Sequence, residues 1–171
     1  VWPRRVRGTS IVRRLNRLFR FCKCNPANPR LEDAFMSFGE NIAPAVGRCM
    51  IALLFIFAGV HKLQNWEASA LYMAQHGVTV IQPLLALAIV VEIGAGAGLI
   101  LGFRTRLMAL MLFAFTLAVN FTMHDFWAIG DAELARTEMQ LFAKNMGIAG
   151  GLLVLVGLGA GSWSYDSWRG D

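Results

Sequence analysis

Residues 81–103 read IQPLLALAIVVEIGAGAGLILGF, and the carboxylate of Glu92 is the sole charge in this run. A helix that crosses a bilayer needs about 20 consecutive apolar residues. An unbroken run rich in Leu, Ala and Gly favours a helix over the alternating pattern of a barrel strand. Similar runs lie at 44–62, 107–123 and 139–161. With short connections between them, the runs predict an all-α membrane protein, an antiparallel four-transmembrane-helix bundle.

The composition agrees with lipid as the main solvent. Of the 171 residues, 56% are hydrophobic and 16% are charged, whereas a soluble domain carries about 25% charged residues. The four spans and their short connections occupy residues 44–161, so no separate soluble domain is expected. The predicted organisation is a basic arm at 1–40, a four-helix transmembrane domain at 41–165 and a short cytoplasmic tail at 166–171.

The arm before the first span is strongly basic. Residues 1–30 contain nine of the sixteen Lys and Arg residues and no Asp or Glu. Within residues 9–21 the apolar side chains recur at helical spacing, which is typical of a partly amphipathic helix on a membrane surface. We expect it to contact anionic lipid or an acidic partner rather than nucleic acid. The docking residues are predicted to be Arg13, Arg14, Arg17 and Arg20.

The charges of the loops predict the orientation in the membrane. The basic arm and the turn at 104–106 lie on one side of the bundle, and an acidic loop at 124–138 lies on the other. Because Lys and Arg are enriched on the cytoplasmic side, both termini are predicted to be cytoplasmic. Trp66 and Trp127 then fall at the outer interface, and Trp163 and Trp168 fall at the inner one.

Every span also carries polar side chains that lipid disfavours. A charge at the centre of a membrane helix costs about 2.5–3.5 kcal/mol, so we expect these side chains to face one another. They predict a polar pocket that opens to the outside with Glu92 at its floor. The alternative is a buried Glu92–Lys144 pair that fixes helix packing and performs no chemistry. The candidate residues are His61, Lys62, Glu92, Asn120, His124, Asp125, Lys144 and Asn145.

The residue types that bind metals are not spaced for a metal site. The three histidines share no close spacing on one helix, and the three cysteines, Cys22, Cys24 and Cys49, are interpreted as free thiols. We therefore predict no metal and no intrinsic cofactor, with a quinone or a lipid as the candidate bound molecule. Small residues at helical spacing predict where helices pack together. They are Gly94, Gly98 and Gly102 in the second span and Gly147 and Gly151 in the fourth.

Five segments of the chain resemble the DoxX family. They are AGVHKL (58–63), LYMAQHGVTVIQPL (71–84), VEIGAGAGLILGFRTR (91–106), NFTMHDFW (120–127) and KNMGIAGGLLVL (144–155). The resemblance implies a multi-pass protein of the bacterial inner membrane. Some DoxX proteins are subunits of a thiosulfate:quinone oxidoreductase, and others are linked to membrane redox complexes that handle thiol stress. The resemblance implies no catalytic residues, which leaves open whether the chain is an enzyme.

Two functions follow as expectations. The first is an accessory subunit of a larger membrane redox or electron-transfer complex. The basic arm at 1–40 is an addition to the short family pattern and suits docking to other subunits. The alternative is a subunit of a quinone-linked oxidoreductase that acts on a sulfur anion such as thiosulfate. In that case a sulfur anion or a quinone would enter the outer pocket near His61, Lys62, His124 and Lys144. Cationic side chains would hold the anion, and Glu92 would move a proton.

Overall fold

Four long helices dominate residues 42–170, the part of the chain that the computed structural model describes. They are α1 (Ala43–Gln64), α3 (Ile81–Leu101), α4 (Thr105–Met123) and α5 (Ala132–Leu158). All four are long and apolar enough to cross a membrane. Two shorter helices, α2 (Trp66–Gln75) and α6 (Tyr165–Arg169), and a 3₁₀ turn at Phe126–Ala128 connect or follow them. The predicted all-α, four-helix membrane fold is confirmed.

The basic arm at 1–40 lies outside the described residues. This includes the four predicted docking residues, Arg13, Arg14, Arg17 and Arg20, and also Cys22 and Cys24. Within the described part, Cys49 is a free thiol.

The ends of the helices follow from local sequence. Pro44 lies in the first turn of α1, where its missing N–H costs no hydrogen bond. α3 ends where Gly102 adopts φ +68°, and the N–H of Phe103 then donates to the Gly98 carbonyl at 2.9 Å. Glycine is favoured here because an L side chain rarely adopts a positive φ.

The fourth span begins earlier than its apolar run suggests. Asp131 caps α5 by accepting the N–H of Leu134 at 2.8 Å, so the helix begins at Ala132 rather than near 139. A carboxylate at this position satisfies an amide that has no partner within the helix. The polar residues 132–138 were therefore wrongly interpreted as loop. The connection at 63–80 also contains a helix, α2, that hydrophobicity alone did not predict.

The apolar core lies in one half of the bundle. We call residues 43–55, 95–112 and 149–170 the core half, and residues 56–94 and 113–148 the cavity half. The main cluster of buried apolar residues lies in the core half and draws on all four long helices: Ala52, Phe55, Ala95, Leu99, Ala109, Leu112, Leu152 and Leu155. The cavity half has fewer buried apolar residues, namely Leu85, Ile89 and Met123. The core half also contains the turn between α3 and α4 and the end of α5, so it includes the basic end of the bundle.

Glycines allow α1 and α3 to approach closely, but they are not all the predicted ones. A Cβ at Gly96 would lie 2.8 Å from the Ile56 side chain, and one at Gly59 would lie 2.7 Å from Ile93. Of the predicted set, Gly98, Gly102 and Gly151 have atoms of other helices or loops close to the position of a Cβ.

Gly94 and Gly147 were predicted to pack against other helices and do not. No atom lies within 4 Å of a Cβ built on either of them. The reason is geometric, because a four-residue spacing advances about 400° around a helix of 3.6 residues per turn. Gly94 is therefore rotated away from the face that Gly102 occupies.

Candidate functional site

Two adjoining cavities lie in the cavity half. The larger, of about 450 Å³, is bordered by α1, α2, α3 and α4, and the smaller, of about 280 Å³, by α1, α3, α4 and α5. Lys62 and His124 border both cavities. Two of the polar residues predicted to face the interior therefore line open space between the helices.

An ion pair lies between α1 and α3. The Nζ atom of Lys62 lies 2.7 Å from Oε1 and 3.0 Å from Oε2 of Glu92. The Glu92 side chain is 5% exposed, and that of Lys62 is 30% exposed. Helical side chains tilt towards the N-terminus of their helix, which directs Lys62 back along α1 towards Glu92. The small Gly59 lets the two helices approach at this level.

The pairing of Glu92 with Lys144, which the sequence left as the alternative to an open pocket, is wrong. α3 packs against α1 and α4, whereas α5 packs chiefly against α4. Lys144 is exposed on α5 and borders the smaller cavity together with Asn145. Glu92 borders the same cavity, but its carboxylate is bound by Lys62. The partner of a buried carboxylate depends on which helices are neighbours, and hydrophobic runs do not specify that.

A second polar pair joins α4 to α5. The Nδ1 atom of His124 lies 2.7 Å from Oε2 of Glu138, and both side chains are largely buried. Glu138 was missed as a site residue because the sequence placed it in the acidic loop. The Asp131 cap was the available signal, since a helix that begins at Ala132 carries Glu138 into the bundle.

Tyr72 extends this polar region towards α2. Its hydroxyl donates to the Met123 carbonyl at 3.3 Å, and its side chain borders the larger cavity. Burial raises the pKa of the Tyr72 hydroxyl, and the negative charges of Glu138 and Asp125 raise it further. The hydroxyl therefore remains protonated and can donate a hydrogen bond.

The remaining predicted residues have different positions. His61 is exposed and borders the larger cavity. Asn120 is fully buried and borders neither cavity, since its amide donates to the Phe142 carbonyl at 3.2 Å and ties α4 to α5. Asp125 is half-buried, and its main-chain carbonyl accepts the N–H of Ala128 in the 3₁₀ turn. The structure thus brings together six of the eight predicted residues around the cavities.

In the described part of the chain, the side chains that could bind a metal are not grouped as they are in a metal centre. In residues 42–170, no group of three or more His, Cys, Asp and Glu side chains is arranged to hold a metal ion. The chemistry that these cavities offer is hydrogen bonding and proton exchange beside apolar walls.

Sequence comparisons identify the family. The DoxX family model matches residues 43–125. Inner membrane protein YqjF of Escherichia coli (strain K12) is 35% identical over 127 residues, which are 74% of this chain and 92% of the relative. The chain belongs to the DoxX family. Inner membrane protein YphA of the same organism is 35% identical over 124 residues, which are 71% of this chain and 86% of that protein.

A more distant relative is the Surfeit locus protein 4 homolog of Drosophila melanogaster. It is 27% identical over 131 residues, or 76% of this chain and 42% of the relative. No solved structure matches the chain.

The DoxX match covers part of the site. Lys62, Glu92 and His124 lie within residues 43–125, whereas Glu138, Lys144 and Asn145 follow them. The Lys62–Glu92 pair is therefore complete within the DoxX segment. The partner of His124 and the α5 wall of the smaller cavity come from the following helix. The chain is a DoxX-family integral membrane protein, and its polar site combines residues of the DoxX segment at 43–125 with residues of α5.

Proposed function

We propose that this protein is an accessory subunit of a redox complex in the bacterial inner membrane, and that its larger cavity binds the headgroup of a quinone. The location is supported by the names of the two Escherichia coli relatives, both inner membrane proteins. The observation that carries the proposal is a cavity of about 450 Å³ with apolar walls and a few polar groups. Small-molecule sites have this size and character.

The walls of the larger cavity suit a quinone ring. Leu85, Ala88, Phe115 and Val119 supply apolar surface. Lys62 and His124 supply potential hydrogen-bond donors near that surface, which match the two carbonyl oxygens of a quinone. Reduction of a quinone takes up two electrons and two protons. The Lys62–Glu92 and His124–Glu138 pairs can exchange protons beside the ring, and a partner subunit supplies the electrons.

A sulfur anion such as thiosulfate is a weaker candidate for the same cavity. The charge of Lys62 is compensated by Glu92, and that of a protonated His124 would be compensated by Glu138. A bound anion would therefore compete with two carboxylates for these groups, whereas the neutral carbonyl of a quinone would not.

Quinone content tests the site. The protein would be purified in mild detergent, and extracted quinone would be quantified per mole of protein by chromatography. Ala88→Leu places bulk in the larger cavity without changing a charge, and Ala86→Leu places the same bulk on an exposed position of α3. We expect at least a five-fold loss of quinone in Ala88→Leu and wild-type content in Ala86→Leu. Equal content in both variants would reject the larger cavity as the site.

Co-purification tests the accessory role. Deleting residues 1–38 removes nine cations and no part of the described helices. We expect the truncated chain to insert into the membrane but to leave its parent complex, or to be retained only at low salt. Quinone turnover by the isolated full chain, without other subunits, would instead favour an enzyme.

Cysteine labelling tests the orientation. In a background without native cysteines, Ala132→Cys at the start of α5 and Leu107→Cys near the start of α4 are exposed at opposite ends of the bundle. If both termini are cytoplasmic, an impermeant thiol reagent added to spheroplasts labels residue 132 and spares residue 107. The reverse pattern would invert the proposed topology.

A further inference from the structure

We propose that a cleft at the basic end of the bundle binds the phosphate of an anionic phospholipid through the guanidinium groups of Arg104 and Arg106. The cleft has a volume of about 690 Å³. The turn between α3 and α4 forms one wall, and the connection from α5 to α6 forms the other. It lies at the end of the bundle remote from the two cavities and is independent of the proposed quinone site.

The two arginines of the cleft are not neutralised within the described chain. Neither the Arg104 nor the Arg106 guanidinium has a hydrogen-bond or ion-pair partner among residues 42–170. The Arg104 guanidinium lies 5.9 Å from the centre of the Phe103 ring. Both arginines line the cleft, and guanidinium groups with free donors match the oxygen atoms of a phosphate.

The acidic residue of the cleft is already bound. The carboxylate oxygens of Asp166 accept the main-chain N–H groups of Arg104 at 2.7 Å and Thr105 at 2.8 Å. Burial alone would raise the pKa of Asp166, but these hydrogen bonds and the charge of Arg48 lower it overall. Asp166 thus occupies the N-terminus of α4, and the two guanidinium groups remain available to an external anion.

Arg104 adopts a backbone conformation that its side chain does not favour. It has φ +43°, the one positive φ of a non-glycine residue among residues 42–170. Glycine or asparagine would adopt this conformation with less strain. Backbone strain of this kind is found preferentially at ligand-binding positions, and Arg104 lines the cleft.

The level of the cleft points to a lipid rather than to a free anion. The cleft lies where three of the long helices begin or end. Trp163 and Trp168 follow α5 nearby and are 66% and 81% exposed. Exposed tryptophan is enriched at the headgroup level of a bilayer, where lipid phosphates lie. A phosphate held between Arg104 and Arg106 at this level would belong to a lipid.

Native mass spectrometry of the full-length protein tests the proposal. Detergent-solubilised protein would be titrated with dioleoylphosphatidylglycerol, or with dioleoylphosphatidylcholine as the zwitterionic comparison. The test variants are Arg104→Gln and Arg106→Gln. The matched control is Arg136→Gln, an exposed arginine of α5 in the other half of the bundle. Wild type and control should retain one tightly bound phosphatidylglycerol in preference to phosphatidylcholine, and each test variant should bind it at least five-fold more weakly.

A second variant separates binding from folding. Arg104→Gly relieves the positive φ and removes the guanidinium, so it should raise the melting temperature while weakening phosphatidylglycerol binding as Arg104→Gln does. Undiminished lipid binding in Arg104→Gly and Arg106→Gln would overturn the proposal. Displacement of the lipid by millimolar inorganic phosphate, dependent on Arg106, would identify a free anion as the ligand and would also overturn it. Equal retention of phosphatidylglycerol and phosphatidylcholine by the wild-type protein would also overturn the proposal.

Discussion

The same four helices form two halves that differ in how they use polar groups. In the core half, apolar side chains fill the interior, and the buried Arg48 donates to the main-chain carbonyls of Ala160 and Trp163. In the cavity half, charged side chains pair with one another beside unfilled space. Polar groups of the first kind hold the chain together, whereas those of the second kind can exchange protons or partners with a ligand.

The comparison shows that a buried charge in a membrane span does not by itself indicate a functional site. Arg48 is 3% exposed and Glu92 is 4% exposed, so burial does not distinguish them. Their partners distinguish them. Arg48 donates to main-chain carbonyl groups of the connection after α5 and lines neither of the two cavities, whereas Glu92 and Lys62 border the smaller cavity together.

The largest loss of stability is expected when the ion pair of the cavity half is broken. Lys62→Met leaves the Glu92 carboxylate buried without its partner, so the free energy of unfolding should fall by about 3–5 kcal/mol. Glu92→Gln should cost less, because Lys62 is 30% exposed and its charge is better solvated. Denaturant titrations of each variant and of the double variant in detergent would measure the coupling.

The double variant should be milder than the sum of the single changes, as expected for two groups in contact. Lys144→Met is the control and should change stability by less than about 0.5 kcal/mol, as most exposed positions do. Strict additivity of Lys62→Met and Glu92→Gln would show that the pair does not contribute as a unit.

The next largest loss of stability is expected from a substitution at Arg48 in the core half. Arg48→Met removes hydrogen bonds to the Ala160 and Trp163 carbonyls, and charge-assisted bonds contribute about 1.5–3 kcal/mol each. Because the variant also removes a buried charge, the net loss of stability should be about 2–4 kcal/mol. Hydrogen exchange should accelerate at residues 159–165 and remain unchanged around Lys62. Faster exchange throughout the cavity half would mean that the two halves unfold together.

A pair of glycines on α3 tests the close packing of α1 on α3 where the two halves meet. A Cβ at Gly96 would meet Ile56 at 2.8 Å and the Ala52 carbonyl at 3.2 Å, whereas nothing lies within 4 Å of one at Gly94. Overpacking costs about 1–3 kcal/mol, so Gly96→Ala should destabilise the protein. Gly94→Ala should be neutral or stabilising by up to about 1 kcal/mol, since alanine favours the helix. Thermal melting of both variants checks this, and equal costs would refute the packing of α1 on α3.

The smallest effect concerns the connection of α6 to the core half. Asp166→Ala removes the carboxylate that caps α4, and loss of a helix cap costs about 1 kcal/mol. The pKa of Asp166 is lowered in the folded protein, so its stabilisation is complete above the pKa of about 3.9 in the unfolded chain. It is lost as pH falls through the lower folded pKa.

Melting temperatures of wild type and Asp166→Ala would be compared from pH 7 down to pH 2. The difference should be constant near neutral pH and should shrink in the acidic range. A difference that grows on acidification would show that Asp166 is not the capping group.

Several features were predictable because they depend on neighbouring residues in the chain. Unbroken apolar runs of about 20 residues predict membrane-spanning helices, since only a helix or a closed barrel satisfies the backbone in a bilayer and barrel strands alternate in hydrophobicity. The same runs identified Lys62, Glu92 and His124 as polar groups that must face inward. The helix start at Ala132 was also encoded locally, by Asp131, but the low hydrophobicity of residues 132–138 concealed it.

The sequence by itself determined the number of spans, the helical class, the DoxX resemblance and that Lys62, Glu92 and His124 face the bundle interior. Only the tertiary structure decided that Lys62 pairs with Glu92, that Glu138 pairs with His124 and that Gly96 rather than Gly94 meets another helix. The physical reason is that insertion into lipid depends on the hydrophobicity summed along each segment. The pairing of polar side chains depends on how each helix is rotated and which helices are its neighbours. Contacts between side chains that are distant in sequence determine both.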